Sequence, residues 1–212
     1  MAKQFIAHIR ESDNKIQTVE EHLFETAQIA KILASKLNLG LAGELLGLMH
    51  DFGKFAEDFF KYISDTNGRL NPDIDDTEDD IPTNPLKGKI DHSTAGAQWV
   101  YQRLSHFGAT NGIGESFGQI LALCIASHHG AGLIDCINPN GEATWLKRLM
   151  KDDQLTHLNE CKENADKSVL ERAETLAGEE LLRQMRVVIS PLLQNSELTP
   201  KLKEFYLGCF TR

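Results

Sequence analysis

The chain has 212 residues, 41% of them hydrophobic, and a formal charge of −9 from 31 acidic and 22 basic side chains. That size and apolar content can build one sizeable core without disulfides. The acidic balance argues against a broad nucleic-acid footprint, which needs Lys and Arg to displace counterions, but leaves room for a small site where metal ions supply positive charge. Low aromatic content and frequent Leu and Ala favour helices over sheets. The four cysteines, Cys124, Cys136, Cys161 and Cys209, have no zinc-knuckle spacing. Cys124 lies in an apolar run and reads as a core residue. The N-terminus has no signal-peptide pattern, and no apolar run reaches membrane-spanning length. The expectation is a cytoplasmic protein with no membrane partner.

Thr18-Val19-Glu20-Glu21 has the capping-box pattern. Leu23, Ala27, Ala30, Ala34 and Leu37 follow at helical spacing, and Gly40 stands where a C-cap would go. Residues 19–38 are therefore predicted as a helix. Ile29 and Leu33, matched in period to His22, suggest that His22 faces inward. Residues 41–51 form a second apolar helical run, closed by His50-Asp51 and broken or bent at Gly53. Phe55, Phe59 and Ile63 mark a third helix.

Residues 64–90 read as a long loop rich in Asp, Pro and Gly. A helix over 92–105 follows, then an apolar helix over 117–129 ending in His128-His129-Gly130. Residues 165–194 are mostly helical. A last helix begins near Thr199-Pro200. Its apolar run, Glu204 to Phe210, meets Arg212 without a cap, which suggests a longer protein. The fold class is all-α, one domain over 1–212 with a long acidic loop.

Most histidines sit at helix ends. His50-Asp51 can reach one ion together, and a carboxylate with two oxygens can bridge two ions. His128-His129 can serve one centre only where the helix is ending, because successive residues point about 100° apart; Gly130 supplies that ending. Alternatively the pair are partly exposed residues favoured at a helix C-terminus. Asp91 or Ser93 can cap the helix that His92 begins. His22 can instead be a half-buried histidine bonded to a backbone carbonyl. Lys54 can neutralise a scissile phosphate, or be an ordinary solvated lysine. The coincidence of four helical segments, each bringing a histidine to an end or inner face, favours a shared centre. Five imidazoles and one carboxylate suit one or two ions of Mn, Fe, Co, Ni or Zn, and such a pair can clamp the attacking and leaving oxygens of a phosphodiester. His8, His106 and His157 fall outside this pattern and read as surface or structural residues.

The order His22, His50-Asp51-x-Gly53-Lys54, Asp91-His92-Ser93-x-x-Gly96-Ala97, His128-His129-Gly130 resembles the HD superfamily. More closely, it resembles the HD nuclease of CRISPR type I interference, usually joined to a DNA helicase. Ala7-His8 followed by Glu21-His22-Leu23 is similar to that subgroup too. The resemblance implies a helical HD bundle that cleaves single-stranded DNA, partnered by a helicase and an RNA-guided targeting complex. It implies a first ion on His22, His50 and Asp51, and a second on Asp51, His92, His128 and His129. Lys54 would assist at the phosphate, and Ser93 would bond near the site. The family's late acidic ligand, in a pattern like Val-Asp-Ala-Asp, has no counterpart here and is expected beyond Arg212. Lys87 and Lys89, at the end of the acidic loop, are candidates to meet the DNA backbone. Competing expectations are a nucleotide phosphohydrolase and a degenerate HD module that binds a partner without catalysis.

Overall fold

The computed structural model describes residues 3–10, 12–65, 91–107, 113–129, 140, 142, 144–194 and 199. Among these, helices dominate, joined by one two-stranded sheet. The sheet pairs β1 (Ile6–Ile9) antiparallel with β2 (Ile16–Thr18). It is an addition to the all-helical expectation. Its turn is made possible by Asn14, which takes a positive φ of 55°, a conformation Asn tolerates better than most residues.

The capping box forms as expected. Thr18 accepts from the Glu21 N–H at 3.1 Å, and the Glu21 carboxylate accepts from the Thr18 N–H at 3.0 Å. It starts α1 (Val19–Ser35). The left-handed residue after α1 is Asn38, not Gly40, which instead opens α2 (Gly40–Met49). Leu23 and Ala27 are buried, whereas Ile29, Ile32, Leu33 and Leu37 are more than half exposed. His22 thus turns inward without its supposed period-mates: Ile29 and Leu33 share its side of the helix, within about 20°, but stand farther along α1 and are exposed.

α1 lies along α2, and their approach is close because Gly47 has no side chain. A Cβ there would stand 2.6 Å from the Ala27 Cα. This proximity brings the start of α1, with His22, to the end of α2, with His50. A 3₁₀ turn (Phe52–Phe55) follows and packs among α1, α3 (Glu57–Asp65), α4 (Thr94–Ser105) and α8 (Leu158–Asn164). Phe52 and Phe55 are fully buried in it. α4 lies along α5 (Ile113–Ala126), whose end delivers His128 and His129.

Two short helices, α6 (Thr144–Leu149) and α7 (Asp153–Thr156), precede α8. The predicted 165–194 helix is two, α9 (Lys167–Leu176) and α10 (Glu179–Gln194), separated at Ala177-Gly178. Among the described residues, most buried apolar side chains form one cluster running from Phe5 to Ile189. Among the described residues no helix is long and apolar enough to cross a membrane. The acidic loop with Lys87 and Lys89, and the run to Arg212, lie outside the described residues.

Candidate metal centre

The centre is organised around the Asp51 carboxylate, which is 1% exposed. Asp51 follows the last turn of α2 and precedes the 3₁₀ turn, so its side chain leaves the helix axis and enters the space between α1, α4 and the end of α5. Its two oxygens face different neighbours. Oδ2 is 3.0 Å from His22 Nε2 and 3.2 Å from His50 Nε2. Oδ1 is 3.1 Å from His128 Nε2, 3.6 Å from His129 Nε2 and 3.7 Å from His92 Nε2. The six side chains picked from the sequence as metal ligands therefore come together, although they span residues 22–129.

Local backbone geometry aims several of them. His50 Nδ1 bonds the Gly47 carbonyl at 2.8 Å, and His128 Nδ1 bonds the Ile125 carbonyl at 2.7 Å. A carbonyl can only accept, so each Nδ1 carries a proton and Nε2 is the nitrogen turned to the centre, donating to Asp51 where it is protonated and offering a lone pair to an ion where it is not. Metal-ligating histidines are commonly oriented by such a bond. His92 stands just before α4, and its carbonyl accepts the Gly53 N–H at 3.0 Å. An added Cβ at Gly53 would collide with that same oxygen. The glycine thus lets the His92 backbone approach the Asp51 turn.

The donor set fits divalent ions. His22 Nε2 and His50 Nε2 are 3.1 Å apart, and His92 Nε2 and His129 Nε2 are 2.5 Å apart. Ring nitrogens this close to one another and to a carboxylate are spaced to share a proton or to share an ion. Ligand atoms of one ion bound at ~2.0–2.2 Å are separated by roughly 3–3.5 Å at ordinary coordination angles. Donor atoms of Asp51, His92, His128 and His129 all lie within 4.8 Å of one another, and so do those of His8, His22 and Asp51.

Burial works against ionisation of Asp51. The nearby Lys54 and His50 charges and the bonds from His128 and His129 outweigh it, holding the carboxyl well below its usual range. For His50, burial lowers the pKa, but the charge and hydrogen bond of Asp51 and the bond to the Gly47 carbonyl together raise it above its ordinary value. Lys54 is not the solvated residue its sequence context allowed: it is fully buried, its ammonium 2.8 Å from Asp51 Oδ2 and 3.4 Å from His8 Nε2.

Ser93 Oγ accepts from Arg148 at 2.9 Å, and Arg148 also donates to Thr94 Oγ1 at 3.0 Å. Asp91 does cap α4, accepting from the Thr94 N–H at 3.1 Å, and it pairs with Lys151 at 2.6 Å. Two residues absent from the sequence reading thus matter here. Arg148 and Lys151 carry too little local pattern to be found. His8, named in the resemblance but read as a surface or structural residue, has one further signal: Ser12, Asp13 and Asn14 between Ile9 and Ile16 mark the turn of the hairpin that carries it.

Helices that gather a His-Asp pair and four more histidines around one buried carboxylate define an HD-type metal-site domain. The family described as Cas3, HD domain, matches residues 8–198, and the chain belongs to that family. No curated protein matches it. Family and site together support a metal-dependent hydrolase.

Proposed function

We propose that the chain is a metal-dependent nuclease that hydrolyses single-stranded DNA during CRISPR interference, acting with a helicase and an RNA-guided targeting complex. The observation that carries this reading is the division of Asp51: Oδ2 faces His22 and His50, Oδ1 faces His92, His128 and His129. A carboxylate so divided suits a pair of ions. His22, His50 and Asp51 would hold the first, and Asp51, His92, His128 and His129 the second. When bound, divalent ions supply Lewis-acid polarisation of the phosphoryl group and activate water at neutral pH.

The chain's own residues fix the geometry. Gly47 and Ile125 carbonyls hold His50 and His128 in one tautomer. Lys54 keeps Asp51 ionised and in place; its full burial favours action through Asp51 over direct contact with the scissile phosphate. Ser93 is then a support for the start of α4, through Arg148. Lys87 and Lys89 remain candidates for the DNA backbone, tested by charge reversal to Glu and DNA binding at low salt.

The test is a substrate panel with Mn, Co, Ni or Fe: single-stranded DNA, duplex DNA and nucleotides. Cleavage of single-stranded DNA that disappears in Asp51→Ala and His92→Ala is expected. Hydrolysis of nucleotides with DNA left intact would assign the site to a nucleotide phosphohydrolase. Failure to take up any metal would assign it to a binding module.

A further inference from the structure

We propose that His8 is a fourth protein ligand of the first ion, so that this site is made of His8, His22, His50 and Asp51. The inference rests on the two-ion reading above and assigns a residue that the resemblance to HD nucleases does not supply.

Three observations point to His8. First, one ring nitrogen of His8 lies within 4.8 Å of donor atoms of both His22 and Asp51. Ligands across an ion bound at ~2.1 Å are separated by up to about 4.2 Å, so the imidazole is within a small adjustment of binding. Second, His8 is held there. Its strand pairs with β2, and the Phe5 carbonyl accepts the Val19 N–H at 3.0 Å, tying β1 to the first residue of α1. Phe5 is anchored edge-on against Phe55 and Phe60. The His8 and His22 rings meet at 4.6 Å between centroids.

Third, His8 Nε2 already faces a cation. The Lys54 ammonium is 3.4 Å from it and 2.8 Å from Asp51 Oδ2. An ammonium has only donors, so the nitrogen turned to it presents a lone pair. That is the form of imidazole a metal requires. His8 and Asp51 therefore jointly favour positive charge at this point of the centre.

The experiment counts metal on the full chain by titration with Mn²⁺ and with Co²⁺, following Co²⁺ absorption and heat, for the wild type, His8→Ala, His8→Gln and His92→Ala. Gln keeps an acceptor for Lys54 but is a poor ligand, so it separates ligation from a purely structural contact. Circular dichroism checks that each variant is folded. The expected result is two equivalents on the wild type, with one of them weakened at least tenfold in both His8 variants. The ion kept by the His8 variants should be the one lost in His92→Ala. If His8→Gln binds both ions as the wild type does, or loses both together, His8 is not a ligand of the first ion. A wild-type chain that takes up no ion would sink the two-ion reading and this proposal at once; two ions with an unaffected His8→Gln would sink this proposal alone.

Discussion

Gly53 and His92 share one backbone hydrogen bond of 3.0 Å, and nothing larger than glycine fits at its donor end. The contact joins the turn after Asp51 to the residue before α4. Gly53→Ala should push the His92 backbone away from Asp51. Overpacking of this kind costs roughly 1–3 kcal/mol. We expect a lower melting temperature and weaker binding of the ion assigned to His92, with the ion on the His22 side retained. Metal titration of the variant checks this; unchanged affinity for both ions would separate Gly53 from the site.

Asp51 and Lys54 are a buried pair, and removing one leaves the other's charge uncompensated. Asp51→Ala should therefore abolish metal-dependent cleavage and also destabilise the chain by about 3–5 kcal/mol. Adding Lys54→Met to Asp51→Ala should restore most of the stability and none of the activity. Denaturant melts and cleavage assays on the single and double variants test both halves. A stable single variant would mean that the ammonium finds another partner or reaches solvent.

Arg148 reaches across from α6 to Ser93 Oγ, Thr94 Oγ1 and, at 3.5 Å, Asp91. Arg148→Ala should cost about 1–2 kcal/mol through lost charge-assisted bonds. Loosening the turn that carries His92 should lower affinity for the ion there by roughly tenfold, the lower end for outer groups that orient a ligand. Arg148→Lys should recover part of the stability. Metal affinity that stays at the wild-type value while stability falls would confine Arg148 to holding the fold.

Glu44 lies on α2 and receives Arg172 Nε at 2.7 Å and Lys31 at 2.8 Å. Burial raises its pKa, but the bonds from Lys31 and Arg172 lower it more, so the folded value sits below the ordinary one. A carboxyl shifted down contributes stability above its unfolded pKa, near ~4.3, and that contribution disappears as pH falls through the folded value. Glu44→Gln should thus lower the melting temperature by ~2–4 °C at pH 7, for a loss of about 1 kcal/mol. The gap between variant and wild type should close as pH falls below the ordinary carboxylate range. A gap that persists in acid would show that packing, not charge, sets the effect.

Much of the centre was legible because its donors sit where helices stop. The start of α1 is written locally, in Thr18 with Glu21, and the histidines stand in its first turn and just past the ends of α2 and α5. The resemblance added the grouping that spacing alone left open. His8 escaped because its strands, of four and three residues, are too short to show a period-two pattern. Lys54 looked solvated because its burial depends on a partner three residues earlier and on helices far along the chain. The outward-facing Ile29, Ile32 and Leu33 misled in the other direction: apolar side chains on a helix are not always on its inner face. α6 and α7, of six and four residues, give no helical signal, so Arg148 could not be placed.

The wide spacing of the converging histidines sets an order of events during synthesis. His8 and His22 leave the ribosome early, but the His128-His129 pair that completes the gathering around Asp51 is made more than a hundred residues later. At roughly 5–20 residues per second, that delay is on the order of ten seconds. During it, the early histidines have no partners from α4 or α5. The four donors proposed for the first ion, His8, His22, His50 and Asp51, would thus be in hand while those of the second still wait for α5, so the two halves of one centre would be completed one after the other, the second only when the chain has grown past His129.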